Sequence, residues 1–146
     1  MSIQDILDRK SRKGTEVITI QANEPVRSAV NRLRYHGIAA LVVKTDDVIT
    51  GLISERDIVY AISDHGEKAL SMPVREVAPR AIITVTPTDT VKRAMSLMTH
   101  HRVRHLMVTV ERMPVGIVSM GDVVKHRLED LETESNVLRD AYVSAH

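Results

Sequence analysis

Two nine-residue stretches, GLISERDIV at 51–59 and GIVSMGDVV at 116–124, each set a glycine three residues before a serine and an aspartate three residues after it. Those residue types in that order support two kinds of chemistry. In the first, the serine hydroxyl accepts an N–H at the open end of a helix, and the acidic side chain reaches back to the cap. In the second, the same helix end turns its free N–H groups and positive dipole toward an anion, while the carboxylate takes both hydroxyls of a ribose. A glycine on the strand before the helix lets a flat ring approach the backbone with no Cβ in the way. Gly51, Ser54, Asp57, Gly116, Ser119 and Asp122 therefore suit a nucleotide as well as they suit a pair of helix caps.

The two stretches belong to a longer duplication with an offset of 65 (116 − 51), which also pairs Ile18 with Ile83, Val26 with Val91, Ala29 with Ala94, His36 with His101 and Leu41 with Leu106. Each copy predicts the same order of elements. VITIQ is a β-branched strand. Asn23 then caps a helix with Pro25 in its first turn and Val26, Ala29, Val30 and Leu33 on one face. After His36-Gly37, the near-continuous apolar run IAALVVK reads as a buried strand, a polar turn follows at 45–47, and VITGLI is its partner. Ser54 caps the next helix, which carries Ile58, Val59 and Ile62. The second copy repeats this with AIITVT, Thr88 as cap, Val91, Ala94, Met95 and Met98 on the helix face, HLMVTV, a turn at 111–113, VGIVS and a longer last helix. The unit is βαββα, and one unit alone would leave an apolar sheet face bare, so the pair is the expected folding unit. The predicted layout is an N-terminal helical segment at 1–15, repeats at 16–65 and 80–126, a connector with one short helical turn at 66–79, and a C-terminal helix at 127–146.

Composition removes several functions. With 146 residues the chain has the size of one domain. It holds no Phe or Trp and three tyrosines, so a base-stacking platform is missing and the core must be aliphatic. Twenty Lys and Arg face nineteen Asp and Glu, interspersed apart from a basic patch at 9–13, which leaves no basic face of nucleic-acid size. Without cysteine there is no disulfide, thiol catalysis or thiolate zinc site. No apolar run is long enough to span a membrane or to form the centre of a signal peptide, which predicts a cytoplasmic protein.

The duplicated set VITIQANEPVRSAVNRL, GIAALVV and GLISERDIV, with IITVTPTDTVKRAMSLM, RVRHLMV and GIVSMGDVV, resembles the cystathionine-β-synthase (CBS) domain in tandem, over residues 16–125. The resemblance implies an α/β (α+β) fold of two βαββα repeats about a pseudo-twofold axis, a stand-alone regulatory module with no enzyme attached, and two clefts that take AMP, ADP, ATP, NAD(H) or S-adenosylmethionine. It implies that Asp57 and Asp122 hold ribose and that Ser54 and Ser119 lie near ribose or phosphate. It gives Thr15, Val17 and Ile18 to the Asp122 cleft and Arg80, Ile82 and Ile83 to the Asp57 cleft. Arg104 and His105, next to Leu106 at the start of the strand, are the implied phosphate contacts of the Asp122 cleft, which makes it the stronger of the two. The first repeat has Ala39 and Ala40 at those positions, so the Asp57 cleft would rely on Arg56 or on groups from across the interface.

Rival readings are weaker. His100, His101 and His105 straddle the end of a helix and the start of a strand, so they do not share one face for a metal, and Arg102 and Arg104 between them repel a cation. The Gly116-Ser119-Gly121 spacing is G-x-x-S-x-G, one residue too long for a nucleophile elbow, and no catalytic cofactor is implied. Leu128, Leu131, Leu138 and Tyr142 approach heptad spacing, which suits packing within the chain or a contact between two copies; the family resemblance favours a homodimer. The sequence thus reads as a sensor of adenine nucleotides that signals to a downstream protein, with an interaction module whose clefts are empty caps as the alternative.

Overall fold

The computed structural model describes residues 1–10 and 17–145. In chain order the elements are α1 (Ile3–Lys10), β1 (Thr19–Gln21), α2 (Val26–His36), β2 (Ala40–Thr45), β3 (Val48–Ser54), α3 (Glu55–His65), a 3₁₀ segment (Gly66–Ser71), α4 (Val74–Val77), β4 (Thr84–Val85), α5 (Val91–His101), β5 (His105–Val110), β6 (Met113–Ser119) and α6 (Met120–Ala145). They form two three-stranded sheets, β1-β2-β3 and β4-β5-β6, each with a parallel first pair and an antiparallel second pair. The duplication holds at the level of single residues. Val43 faces Gly51 and Val108 faces Gly116, and each register shifts one residue later, at Val43/Lys44 and Val108/Thr109.

Alternation along the strands sends Leu41, Val43 and Ile53 into one core with Val26, Ala29 and Leu33 of α2. Leu106, Val108 and Val118 enter a second core with Val91, Ala94 and Met98 of α5. Val42 and Met107, on the opposite sheet faces, are buried too, which is why both strands read as unbroken apolar runs. Several helix details differ from the sequence reading. Pro25, with no side-chain hydrogen bond, stands at the start of α2 in place of Asn23, its fixed φ suits the helix start, and the Val26 N–H is satisfied by the Met72 carbonyl (2.9 Å). Thr90, not Thr88, caps α5 by accepting the Arg93 N–H at 3.0 Å. Val59, Ile62 and Met95 are exposed at the edges of their apolar stripes, whereas Ile58, Ala61, Ala94 and Met98 point inward. The first two strands are also shorter than read, since only 19–21 and 84–85 pair.

The N-terminal helix is no appendage. Ile3, Ile6 and Leu7 belong to the core of the second repeat, and the backbone fixes α1 there through Ile3 N–H to Asp89 O (2.9 Å) and Gln4 N–H to Pro87 O (3.0 Å). The connector does the same to the first repeat: Val74 N–H meets Glu24 O (2.8 Å) and Arg75 N–H meets Ala22 O (2.9 Å). Ile3 therefore corresponds to Val74, an offset of 71 (74 − 3), although their acceptors still differ by 65 (89 − 24). The paired bridges Ser2 to Thr90 and Pro73 to Pro25 obey the same rule. A leader segment precedes each repeat and docks on the other one. At the far end, α6 is one continuous helix, so the expected boundary at 126/127 falls inside it.

Truncating fully buried Ile3 to Ala should remove about 2–5 kcal/mol of stability, whereas Val48→Ala, at an exposed strand position, should change it by about 0.5 kcal/mol or less. Denaturant unfolding of both variants measures the difference, and equal midpoints would mean that α1 is not part of the core.

Candidate functional site

Both serines end a β-strand and open a helix, as their spacing predicts. Ser54 N–H and Oγ–H both donate to Asp57 Oδ2 at 2.8 Å, and Asp57 N–H returns a bond to Ser54 Oγ at 3.3 Å. In the second repeat Ser119 N–H donates to Asp122 Oδ2 at 2.9 Å and Asp122 N–H donates to Ser119 Oγ at 3.1 Å. The capping reading is therefore realised at both positions. It occupies one carboxylate oxygen of each aspartate; the other, Oδ1, has no hydrogen-bond partner among the described residues of either box. Capping and ligand binding are thus compatible.

Each box opens on a cleft built from both repeats. Leu52, Ser54, Arg56, Asp57 and Tyr60 of the first repeat face Ala81, Ile82, Ile83, Arg102, Arg104 and His105 of the second. The related cleft joins Gly116, Ile117 and Ser119 to Lys10, Val17, Ile18, Gly37, Ala39, Ala40 and His105. Ile82 and Ile83 line the first of these clefts and Val17 and Ile18 the second. Thr15 lies outside the described residues, and Arg80 is exposed, between lining residues Pro79 and Ala81.

Three expectations need correction. Arg104 lines the Asp57 cleft, and His105 reaches both. The cause is sheet pairing: Met107 N–H bonds Ile83 O (3.3 Å), so the start of β5 stays beside residues 82–83 and goes with them to the Asp57 side. The guanidinium groups thus favour the Asp57 cleft, reversing the ranking read from sequence. Leu106 is fully buried in the core and lines neither cleft. The glycines do not leave room for a ring in the expected way. An added Cβ on Gly51 would face Ala78 and the Pro79 carbonyl (3.6 Å), and on Gly116 it would meet Leu7 Cδ2 at 2.8 Å, so the space beside each is taken by a leader segment.

Sequence reasoning also missed groups. Arg102 caps α5 with a left-handed φ of 55°, where the first repeat has Gly37 at 62°; the candidates read from sequence began two residues later, at Arg104. Tyr60 carries the Arg56 guanidinium 5.3 Å above its ring, and Arg56 Nε donates to the Tyr60 hydroxyl at 3.1 Å. Lys10 donates to Asp122 Oδ2 at 2.7 Å and to the Ile117 carbonyl at 2.9 Å. Nothing in the 65-residue register points to Lys10, because it lies in the leader, where the offset is 71.

Burial is the largest influence on the Asp122 carboxyl and pushes it up, but the Lys10 and Ser119 hydrogen bonds and the Lys10 charge outweigh it and hold the group below its ordinary value. Burial likewise pushes the His105 imidazole below its ordinary range, against the pull of the Asp122 and Glu55 carboxylates. Among the described residues no group of three or more His, Cys, Asp or Glu side chains is arranged to hold a metal. His101 ends α5 and His105 begins β5, on separate elements. No helix among the described residues is long and apolar enough to cross a membrane.

Comparison with known proteins agrees with this architecture. The sequence profile of the CBS domain matches residues 3–64 and 74–129. The CBS domain-containing protein CBSX3, mitochondrial, of Arabidopsis thaliana is 32% identical over 148 residues, across 97% of this chain and 71% of that protein. The crystal structure of a CBS-domain containing protein of Agrobacterium tumefaciens superposes with a TM-score of 0.79 at 34% identity, covering 86% of this chain and 92% of that one. The CBS domain pair of protein MJ0100, solved with 5′-methylthioadenosine and S-adenosyl-L-methionine, has the same fold at a TM-score of 0.76 and 21% identity, covering 89% of this chain and 98% of that one.

A carboxyl whose folded pKa is depressed contributes stability that is present above its ordinary value, 3.8 here, and lost as pH falls through the lower folded value. Acid unfolding of the protein and of Asp122→Asn should therefore diverge above that window and converge below it. Parallel curves across the whole range would remove the Lys10–Asp122 pair as a source of stability.

Proposed function

The chain belongs to the CBS-domain family, and on that premise we propose that it is a regulatory module that binds an adenosine-containing ligand in the Asp57 cleft. One observation carries the reading: the cleft combines a ribose-type carboxylate at a helix start, an apolar wall and a cluster of guanidinium groups. Asp57 Oδ1 takes the ribose hydroxyls. Leu52, Ile82 and Ile83 form the wall for adenine, a flat and weakly polar ring that needs no aromatic partner to be buried. Arg102 and Arg104 neutralise phosphate, and the helix dipole of α3 adds to their field. The ligands that fit are AMP, ADP, ATP and NAD(H), all anionic; the cationic sulfonium of S-adenosylmethionine suits this cleft least.

The module is a binding protein whose output is a change of shape passed to a downstream protein. Ligand shifts such an equilibrium only by the difference in its affinity for the two states. The clefts lie between the repeats and are lined by both leader-fed strands, so a ligand that bridges Asp57 and Arg104 tightens one repeat against the other.

We also propose that two copies associate through α6. Every described side chain from Leu131 to Val143 is exposed, including Leu131, Leu138 and Tyr142, so this part of the helix projects from the body. A projecting helix with an apolar stripe at heptad spacing is stabilised by a second such stripe.

Calorimetric titration of AMP, ATP, NADH and S-adenosylmethionine tests the first reading. Asp57→Ala and Arg104→Ala should each weaken AMP binding by about 10- to 100-fold, the loss typical of a charge-assisted hydrogen bond. No binding by any of the four would reduce the serine and aspartate to caps and favour a protein-contact module. Light scattering tests the second: the protein should have the mass of two chains and Leu131→Asp/Leu138→Asp the mass of one, and a single-chain mass for the unmodified protein would refute it.

A further inference from the structure

The two clefts share one frame but differ at one position that the frame itself identifies. Because the leaders follow the offset of 71, Leu7 corresponds to Ala78 and Lys10 to Ala81. Those equivalences are physical as well as numerical: Leu7 and Ala78 each fill the space beside the paired glycines Gly116 and Gly51, and Ala81 and Lys10 each line their cleft. A methyl group in the Asp57 cleft is therefore replaced by an ammonium in the other. The exchange runs the opposite way at the strand entry, where Arg102 and Arg104 of the first cleft become Gly37 and Ala39 of the second.

The ammonium is already engaged. Lys10 Nζ is 2.7 Å from Asp122 Oδ2 and 2.9 Å from the Ile117 carbonyl, in a pair only partly open to water. Asp57 lines its own cleft directly, but around the second cleft the lining includes Lys10 and Ser119 rather than Asp122. A ribose that approaches Asp122 has to share it with Lys10 or displace Lys10 from it.

We propose that Lys10 is the specificity-determining residue of the second cleft and restricts it to nucleoside phosphates; this rests on the reading that these clefts take adenosine-containing ligands. An uncharged nucleoside that displaces Lys10 from Asp122 leaves the ammonium with only the Ile117 carbonyl, in a cleft also lined by Ile38, Ala39 and Ala40, where desolvation is costly. A nucleotide offers a phosphate in exchange, so one charge pair replaces another. No arginine lines this cleft among the described residues; of the two basic groups that do, burial disfavours the charged form of His105, which leaves Lys10 as the cation that can hold a phosphate there. The two clefts then differ in how they recognise charge: the first through guanidinium groups fixed at the start of a strand, the second through a lysine that changes partner.

The test uses Asp57→Ala, which silences the first cleft, as the parent, and compares AMP with adenosine by calorimetry. AMP should bind the parent about tenfold or more tighter than adenosine, as expected for one charge-assisted contact. Adding Lys10→Met, which keeps the apolar stem, should bring the two affinities within about twofold of each other, and Lys10→Arg should keep them apart. An unchanged ratio in Lys10→Met overturns the proposal. Adenosine binding that appears only in Lys10→Met, with AMP excluded from the parent, also overturns it, because Lys10 would then be a plug with no selective role. If neither ligand binds any of these variants while the unmodified protein binds AMP, the second cleft is not a nucleotide site and only this proposal falls. If the unmodified protein binds nothing either, the failure lies with the general reading of the clefts.

Discussion

The backbone hydrogen bonds that dock each leader on the opposite repeat are the constraint from which the rest of the structure follows. A βαββα unit with a three-stranded sheet leaves part of that sheet uncovered by its own two helices. Ile3, Ile6 and Leu7 cover it in the second repeat, and Val74, Val77 and Ala78 cover it in the first. Since each leader belongs to the chain that runs into the other repeat, neither unit can complete its core alone. The same crossing builds the clefts. Residues 17–18 line a cleft with Ser119 at the end of β6, the strand on which α1 packs, and residues 82–83 line one with Asp57 just after β3, the strand on which α4 packs.

Duplication supplied two equal frames, and a few substitutions made them chemically unequal. Main-chain features barely changed: the strand register, the register shift and the left-handed helix ends at Gly37 and Arg102 recur in both halves. What changed are side chains that line the clefts outside the two buried cores, such as Ala39 against Arg104 and Ala81 against Lys10. Substitutions at such positions cost little stability, because the main chain beneath them is fixed by sheet pairing and leader docking. The fold can therefore keep one cleft strongly cationic and the other nearly neutral.

Much of this was legible in the sequence because the repeat is ungapped from residue 17 onward. The element order, the buried strands and both serine caps follow from residue type and a single offset, whereas the two apolar entry pairs came from the family resemblance. The leader was legible only as an amphipathic helix, since six residues, 11–16, separate it from the register of its repeat and hide the match between Lys10 and Ala81. Arg104 was assigned to the wrong cleft because position along a strand does not say which opposing segment the strand's end will meet; parallel pairing with residues 82–83 decides that. Asn23 and Thr88 were read as caps on residue type, but a proline at Pro25 and a hydroxyl at Thr90 stood closer to the first helical turn. Val59 and Met95 lie at the margins of helical stripes, where a few tens of degrees of rotation decide between core and solvent.

The central claim is that the Asp57 cleft, with its carboxylate, apolar wall and paired guanidinium groups, is a nucleotide site assembled from both repeats. A crystal structure of the protein grown with saturating AMP tests it most directly. The account predicts adenine against Ile82 and Ile83, the ribose hydroxyls on Asp57 and the phosphate beside Arg102 and Arg104. An empty Asp57 cleft at saturation, or AMP bound at a surface remote from both serine boxes, would contradict it.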